Sequence, residues 1–138
     1  MSEERNKELF RRVIEEGYNK GHLETLNELF SPSFIEHQNG IQPPNLVGLK
    51  ESVRSLRSGF PDLHLSIEDL WTSGDYTFAR IVARGTQNGQ FMIFPPTGTS
   101  ITIDVIDICR FQNGIIAEHW GIADRFSLMQ QLGVIPGR

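Results

Sequence analysis

The chain has 138 residues, 38% of them hydrophobic, enough to bury one core without staples. Its 13 Lys and Arg against 17 Asp and Glu leave a net charge of −4 with no basic block, which argues against nucleic acid as a partner. A single cysteine, Cys109, a polar acidic N-terminus, and no apolar run near the roughly 18 residues of a membrane span point to a cytoplasmic protein without membrane attachment.

Ser2 before Glu3 and Glu4 reads as a helix N-cap, and Leu9, Phe10, Val13, Ile14 and Tyr18 keep helical spacing to about Asn19. Lys20-Gly21 breaks that helix. Leu23, Leu26, Leu29 and Phe30 mark a second, stopped by Ser31-Pro32, and Phe34 to His37 reads as a brief strand. After a proline-containing loop, Leu49, Val53, Leu56 and Phe60 give a third helix ending at Pro61. From Leu63 the period changes to two, predicting strands over Leu63–Thr72, Tyr76–Thr86, Ile101–Phe111 and Ile115–Ala123. Ser73-Gly74-Asp75 and Gln112-Asn113-Gly114 are hairpin turns, Asn88 to Ser100 is a longer crossing loop, and Phe126 to Leu132 form a closing helix.

Helices followed by long strands mean one α+β domain over residues 1–138, with three N-terminal helices on a curved antiparallel sheet and a short C-terminal helix. Isoleucines lie on both faces of Ile101 to Ile108, so both sides of that strand are expected to be covered. One side would meet the helices and a pocket for a small organic molecule. The other would meet a second subunit, giving a homodimer or homotetramer.

Asp107 shares a strand face with Ile103, Val105, Cys109 and Phe111, where a carboxylate needs a partner. The candidate is His119. A two-residue Asn-Gly turn sets Asp107 opposite Trp120, whereas a three-residue loop with Gly114 left-handed sets it opposite His119; the second is favoured because it gathers the pair beside Ala117 and Gly121. A satisfied polar pair that only fixes register is the bland alternative. Asp124 is a helix N-cap or a third catalytic residue. His37, at the end of the brief strand, is expected at the pocket lip. Phe34, Phe60, Trp71, Phe91, Trp120 and Gly121 complete the expected ligand contacts, although tryptophans serve as core more often than as platforms. Cys109 should behave as a small buried hydrophobe. No nucleophile elbow, phosphate-binding glycine loop or metal-ligand spacing is present, so no cofactor or metal is expected.

The fragments Tyr18-Asn19-Lys20-Gly21, Phe34 to His37, Phe60-Pro61-Asp62-Leu63, Arg84-Gly85-Thr86, Pro95-Pro96-Thr97-Gly98, Glu118 to Gly121 with Asp124, and Gln130-Gln131-Leu132-Gly133 occur together in this order. As a set, from about Asn6 to Gly133, they resemble the SnoaL-like polyketide cyclase family of the nuclear-transport-factor-like superfamily. The resemblance implies a cone of helices and curved sheet with a pocket at one end, and assembly as dimers or tetramers. It also implies metal-free and coenzyme-free aldol ring closure, by an aspartate on the last strand and a histidine on the preceding one. Here Gly121 stands where those cyclases have the aspartate, and Asp107 where they have the histidine. His119-Trp120-Gly121 with Asp124 is similar instead to the branch often labelled ester cyclases. Ile93 replaces a glycine common ahead of the Pro-Pro-Thr-Gly loop, which is expected to narrow the pocket mouth.

Three functions compete. The first is a cofactor-free acid/base cyclase or isomerase of aldol type, in which Asp107 or His119 takes a proton from carbon beside a carbonyl. The second is a small-molecule-binding or accessory protein with no chemistry. The third is a cofactor-free hydrolase of epoxide type, in which Asp107 and Asp124 share a water.

Overall fold

Ser2 caps the first helix by accepting from Arg5 N at 3.0 Å, and α1 runs over Glu3–Arg12 in the computed structural model, which describes residues 2–136. The helix then widens into a π-helical segment, Val13–Tyr18, closed by Asn19 N donating to Ile14 O at 2.9 Å. Helix α2 spans Leu23–Leu29, strand β1 Phe30–Glu36, helix α3 Leu46–Gly59, strand β2 His64–Ser73 and strand β3 Tyr76–Thr86. Strand β4 spans Ser100–Gln112, strand β5 Ile115–Ala123, and helix α4 Arg125–Leu132. Asp124 caps α4 through Ser127 N at 3.0 Å, the cap role read from sequence.

The five strands form one curved, unclosed sheet in the order β1-β5-β4-β3-β2. Four of them pair antiparallel as expected, but β1 lies parallel to β5 at the edge. Phe30, expected in the second helix, opens this strand instead, because Pro32 two residues on removes a helical donor and restrains the residue before it. Pro32 fits here because the strand has a free edge, and pairing lapses between Phe30 and Ile35. The helices cover one face of the sheet, and Leu9, Phe10, Ile14, Leu26, Leu49 and Val53 meet Phe34, Ile81, Phe111 and Ile116 in a common core.

Two bulges bend the sheet. The β4–β5 turn is the two-residue Asn113-Gly114 pair, both at positive φ (53° and 80°), with Gln112 opposite Ile115. The register then shifts between Arg110 and Phe111, leaving Ala117 as an extra residue. A second shift between Ile67 and Asp69 leaves Glu68 extra in β2, so Ile67 and Leu70 face inward opposite Ile81 and Ala79.

Beyond Ala123, β4 loses its β5 partner, and α4 takes over that edge. Gln131 accepts from Thr102 N and donates to Thr102 O, both at 2.8 Å, as a neighbouring strand would. The crossing loop is organised from inside by fully buried Gln87. Its amide nitrogen lies within hydrogen-bond range of three carbonyls, Gly89 O, Phe94 O and Pro95 O, and its oxygen accepts from Thr97 at 2.7 Å. Ile93, expected to narrow a pocket mouth, instead projects into solvent at the tip of this loop, 84% exposed.

Candidate active site

Without a bulge, Ile116 and His119 could not face the same way, because side chains alternate along a strand. The extra residue at Ala117 resets the alternation. His119 then stands opposite Cys109 on the inner face, and Gly121 opposite Asp107. Neither register considered from sequence is the one formed, yet the expected pair meets: His119 Nε2 lies 2.8 Å from Asp107 Oδ1. Cys109 Sγ is a free thiol buried beside them, and burial, then the charges of Asp107 and Glu36, push it well above its ordinary pKa.

A third residue completes the cluster. Parallel pairing sets Glu36 of β1 beside His119, and His119 Nδ1 lies 2.7 Å from Glu36 Oε1. Burial alone would lower the imidazole pKa, but the charge and hydrogen bond of Asp107 and the hydrogen bond and charge of Glu36 outweigh it, raising His119 to about 10. At neutral pH His119 is therefore an imidazolium donating both N–H groups to carboxylates, and it has none left for a substrate. Glu36 Oε1 also accepts from Gln38 N at 3.0 Å, and its Oε2 has no hydrogen-bond partner among the described residues.

Tyr18 closes the inner end, carried there by the π-helical segment. Burial of its phenol, then the charges of Asp107 and Glu36, hold its pKa well above 10, so it stays a neutral hydroxyl. The enclosed space bounded by Tyr18, Phe10, Ile14, Asp107, Cys109 and His119 is only ≈ 10 Å³, room for one water at most. A wider groove of ≈ 390 Å³ lies away from the cluster, between the π-helical segment and β2, and is lined by Arg11, Glu15, Asn19, His64, Ser66 and Glu68.

Of the other residues singled out from sequence, Gly121 borders Asp107 and His119, and these two with Gln38 close on it so tightly that a methyl group there would collide with all three. Phe34 is core, edge-on to Phe30 at 4.7 Å, and Phe60 is core against partly buried Phe91 at 5.3 Å. Trp71 and Trp120 stand on the outer face of the sheet. His37 is on that face too, stacked on Trp120 at 4.7 Å and paired with Glu118 at 2.7 Å, so it forms no lip of an inner pocket. The hydrogen bond from His37 and then that from Arg110 hold Glu118 below its ordinary pKa. Asp124 is exposed at the start of α4.

Glu36, Tyr18 and Gln38 were not among the candidates. For Glu36 a signal existed: Phe34 points inward, so the residue two positions on must do the same and His37 must point out.

The protein-family model described as SnoaL-like polyketide cyclase matches residues 8–132. Among solved structures, TsrD from Streptomyces laurentii is 26% identical, with 98% of this chain and 99% of its own covered and a TM-score of 0.89. IdmH from Streptomyces antibioticus, a proposed polyketide cyclase, is 32% identical, with 92% and 97% covered and a TM-score of 0.80. AclR from Streptomyces galilaeus, a proposed hydroxylase, is 26% identical, with 98% and 84% covered and a TM-score of 0.83. A search of curated proteins found no match. The chain belongs to the SnoaL-like polyketide cyclase family.

Proposed function

We propose that this protein is a cofactor-free cyclase or isomerase acting on a small, largely apolar carbonyl compound, with Asp107 as the base. The observation that carries the reading is the buried line Glu36–His119–Asp107, in which both imidazole nitrogens are already engaged. Asp107 removes a proton from the carbon next to a carbonyl. The C–H electron pair moves into the enolate, and Asp107 later returns the proton, either to the oxygen of a second carbonyl that the enolate has attacked or to another carbon. When Asp107 is protonated, the His119 charge is still balanced by Glu36, so the step leaves no unpaired buried cation.

The reading extends to assembly. Trp71, Phe78, Ile108 and Trp120 form one apolar rung across four strands of the outer face, and Ile106 opposite Ile122 adds to it. Trp71, Ile106 and Ile122 are 55%, 46% and 76% exposed. A second copy of the chain covers this face in a homodimer. The buried free thiol of Cys109 suits the cytoplasm.

The test uses 2-tetralone, a ketone with acidic α-hydrogens, in deuterated buffer, with loss of the α-proton NMR signal as readout. The wild type should accelerate exchange above buffer, and Asp107→Asn should lose about 1,000-fold or more of that rate while keeping its circular dichroism spectrum. Equal exchange by the two proteins would refute Asp107 as the base. Binding of the ketone without any exchange would favour the non-catalytic reading.

A further inference from the structure

We propose that Gln38 grips the substrate's carbonyl oxygen beside Asp107, supplying from a loop the polar group that Gly121 does not carry. The inference rests on the acid/base reading above and adds to it the residue that stabilises the enolate.

Gly121 faces Asp107 across the β4–β5 pair. A Cβ built on Gly121 would collide with Gln38 Oε1 and would stand 2.7 Å from Asp107 Oδ1 and 2.8 Å from His119 Cε1. The Gln38 carboxamide, the base and the residue that holds the base therefore close on one point, which a side chain at 121 would fill. The backbone around Gln38 is anchored. Gln38 N donates to Glu36, Ile41 N donates to Gln38 O at 3.3 Å, and Arg125 donates to Asn39 O at 2.7 Å. Its carboxamide, in contrast, takes part in none of the hydrogen bonds found among the described residues and is free to turn toward a ligand.

The other donors near Asp107 are poorer ones for this task. Both N–H groups of His119 are spent on carboxylates. Tyr18 looks into a space of ≈ 10 Å³, too small for anything beyond a water. The remaining approach to Asp107 is from the Gly121 side, which the Gln38 side chain closes in this structure and would open by turning. An amide suits the position because its N–H stabilises a growing oxyanion without placing a second carboxylate against Asp107. As Asp107 takes the α-proton, negative charge arrives on the carbonyl oxygen, and the Gln38 amide is the donor waiting for it.

The experiment measures 2-tetralone exchange for the wild type, Gln38→Ala and Gln38→Glu, with the Gly121→Ala and Gln38→Ala/Gly121→Ala proteins followed by thermal unfolding. Gln38→Ala should lose about 100-fold in kcat/KM, the usual effect of deleting one oxyanion donor, with an unchanged melting temperature. Gln38→Glu should match that loss at neutral pH and recover, relative to the wild type at each pH, as its carboxyl becomes a protonated donor at roughly pH 4–5. Gly121→Ala should destabilise the wild type more than it destabilises Gln38→Ala, because both must shift Asp107 and His119 but only the first must also displace Gln38. Unchanged kcat and KM in Gln38→Ala overturns the catalytic role, and strict additivity of the two substitutions overturns the placement. A wild type without exchange activity would instead sink the acid/base reading, and this inference with it.

Discussion

His119 stands opposite Cys109 and yet bonds Asp107, two residues further along β4, at 2.8 Å. The diagonal contact leaves the position directly opposite Asp107 to Gly121. The partner of the carboxylate and the residue facing it across the strands are thus two different residues of β5.

Glu36 should matter as much as Asp107 to the state of the histidine. Replacing it in Glu36→Gln takes away a buried charge and leaves only a neutral, weaker acceptor, so the His119 pKa should fall from about 10 toward its ordinary 6.5. Imidazole nitrogen shifts followed by NMR against pH would show this, and a value still near 10 would mean that Asp107 alone sets it. The same substitution should cost about 3 kcal/mol in denaturant unfolding, since the cluster is buried.

The pH dependence of stability has a definite sign. Folding raises the His119 pKa from 6.5 to about 10, so the folded state holds the proton more tightly than the unfolded one. This contribution is complete below pH 6.5 and drains away as pH climbs through about 10. Unfolding free energy measured by urea should therefore decline across that window in the wild type, and far less in His119→Gln. A wild-type curve flat from pH 6.5 to 10 would contradict it.

If the outer face joins two copies, charge placed at its centre should separate them. Ile106→Lys with Ile122→Lys puts two ammonium groups on opposed residues of β4 and β5. Sedimentation should then report a monomer where the wild type reports a dimer, with the fold retained. A wild type that sediments as a monomer at micromolar concentration would remove the dimer proposal.

Gln87→Ala should cost about 2 kcal/mol, because it removes at once the hydrogen bonds that buried Gln87 makes with the Thr97 hydroxyl and with partly buried loop carbonyls. Denaturant unfolding checks the size. Faster amide exchange confined to residues 88–99 would tie the loss to the loop.

Periodicity carried much of the fold: Tyr76–Thr86 and Ile115–Ala123 are strands with the ends read from sequence, and the helix from Ser2 runs to Tyr18 as expected. What alternation could not reveal is where it breaks. Ala117 and Glu68 are ordinary strand residues with no glycine or proline to announce a bulge, and the π-helical widening at Val13 has no local signature either. The Asp107–His119 pairing was nevertheless legible, because a carboxylate on an apolar strand face demands a partner. The parallel docking of β1 was not, since it depends on contacts distant in the chain, and without it the placing of Glu36 beside His119 does not follow.

The clamp of Gln131 on Thr102 has a consequence for how this sheet can associate. By answering both the donor and the acceptor of the β4 overhang from within the chain, it removes the exposed backbone on which a foreign strand could dock. Sheet growth from molecule to molecule is blocked at that border, and Pro32 weakens the same route along β1. Replacing Gln131 by leucine would reopen the border and turn a self-limiting surface into a seed for aggregation.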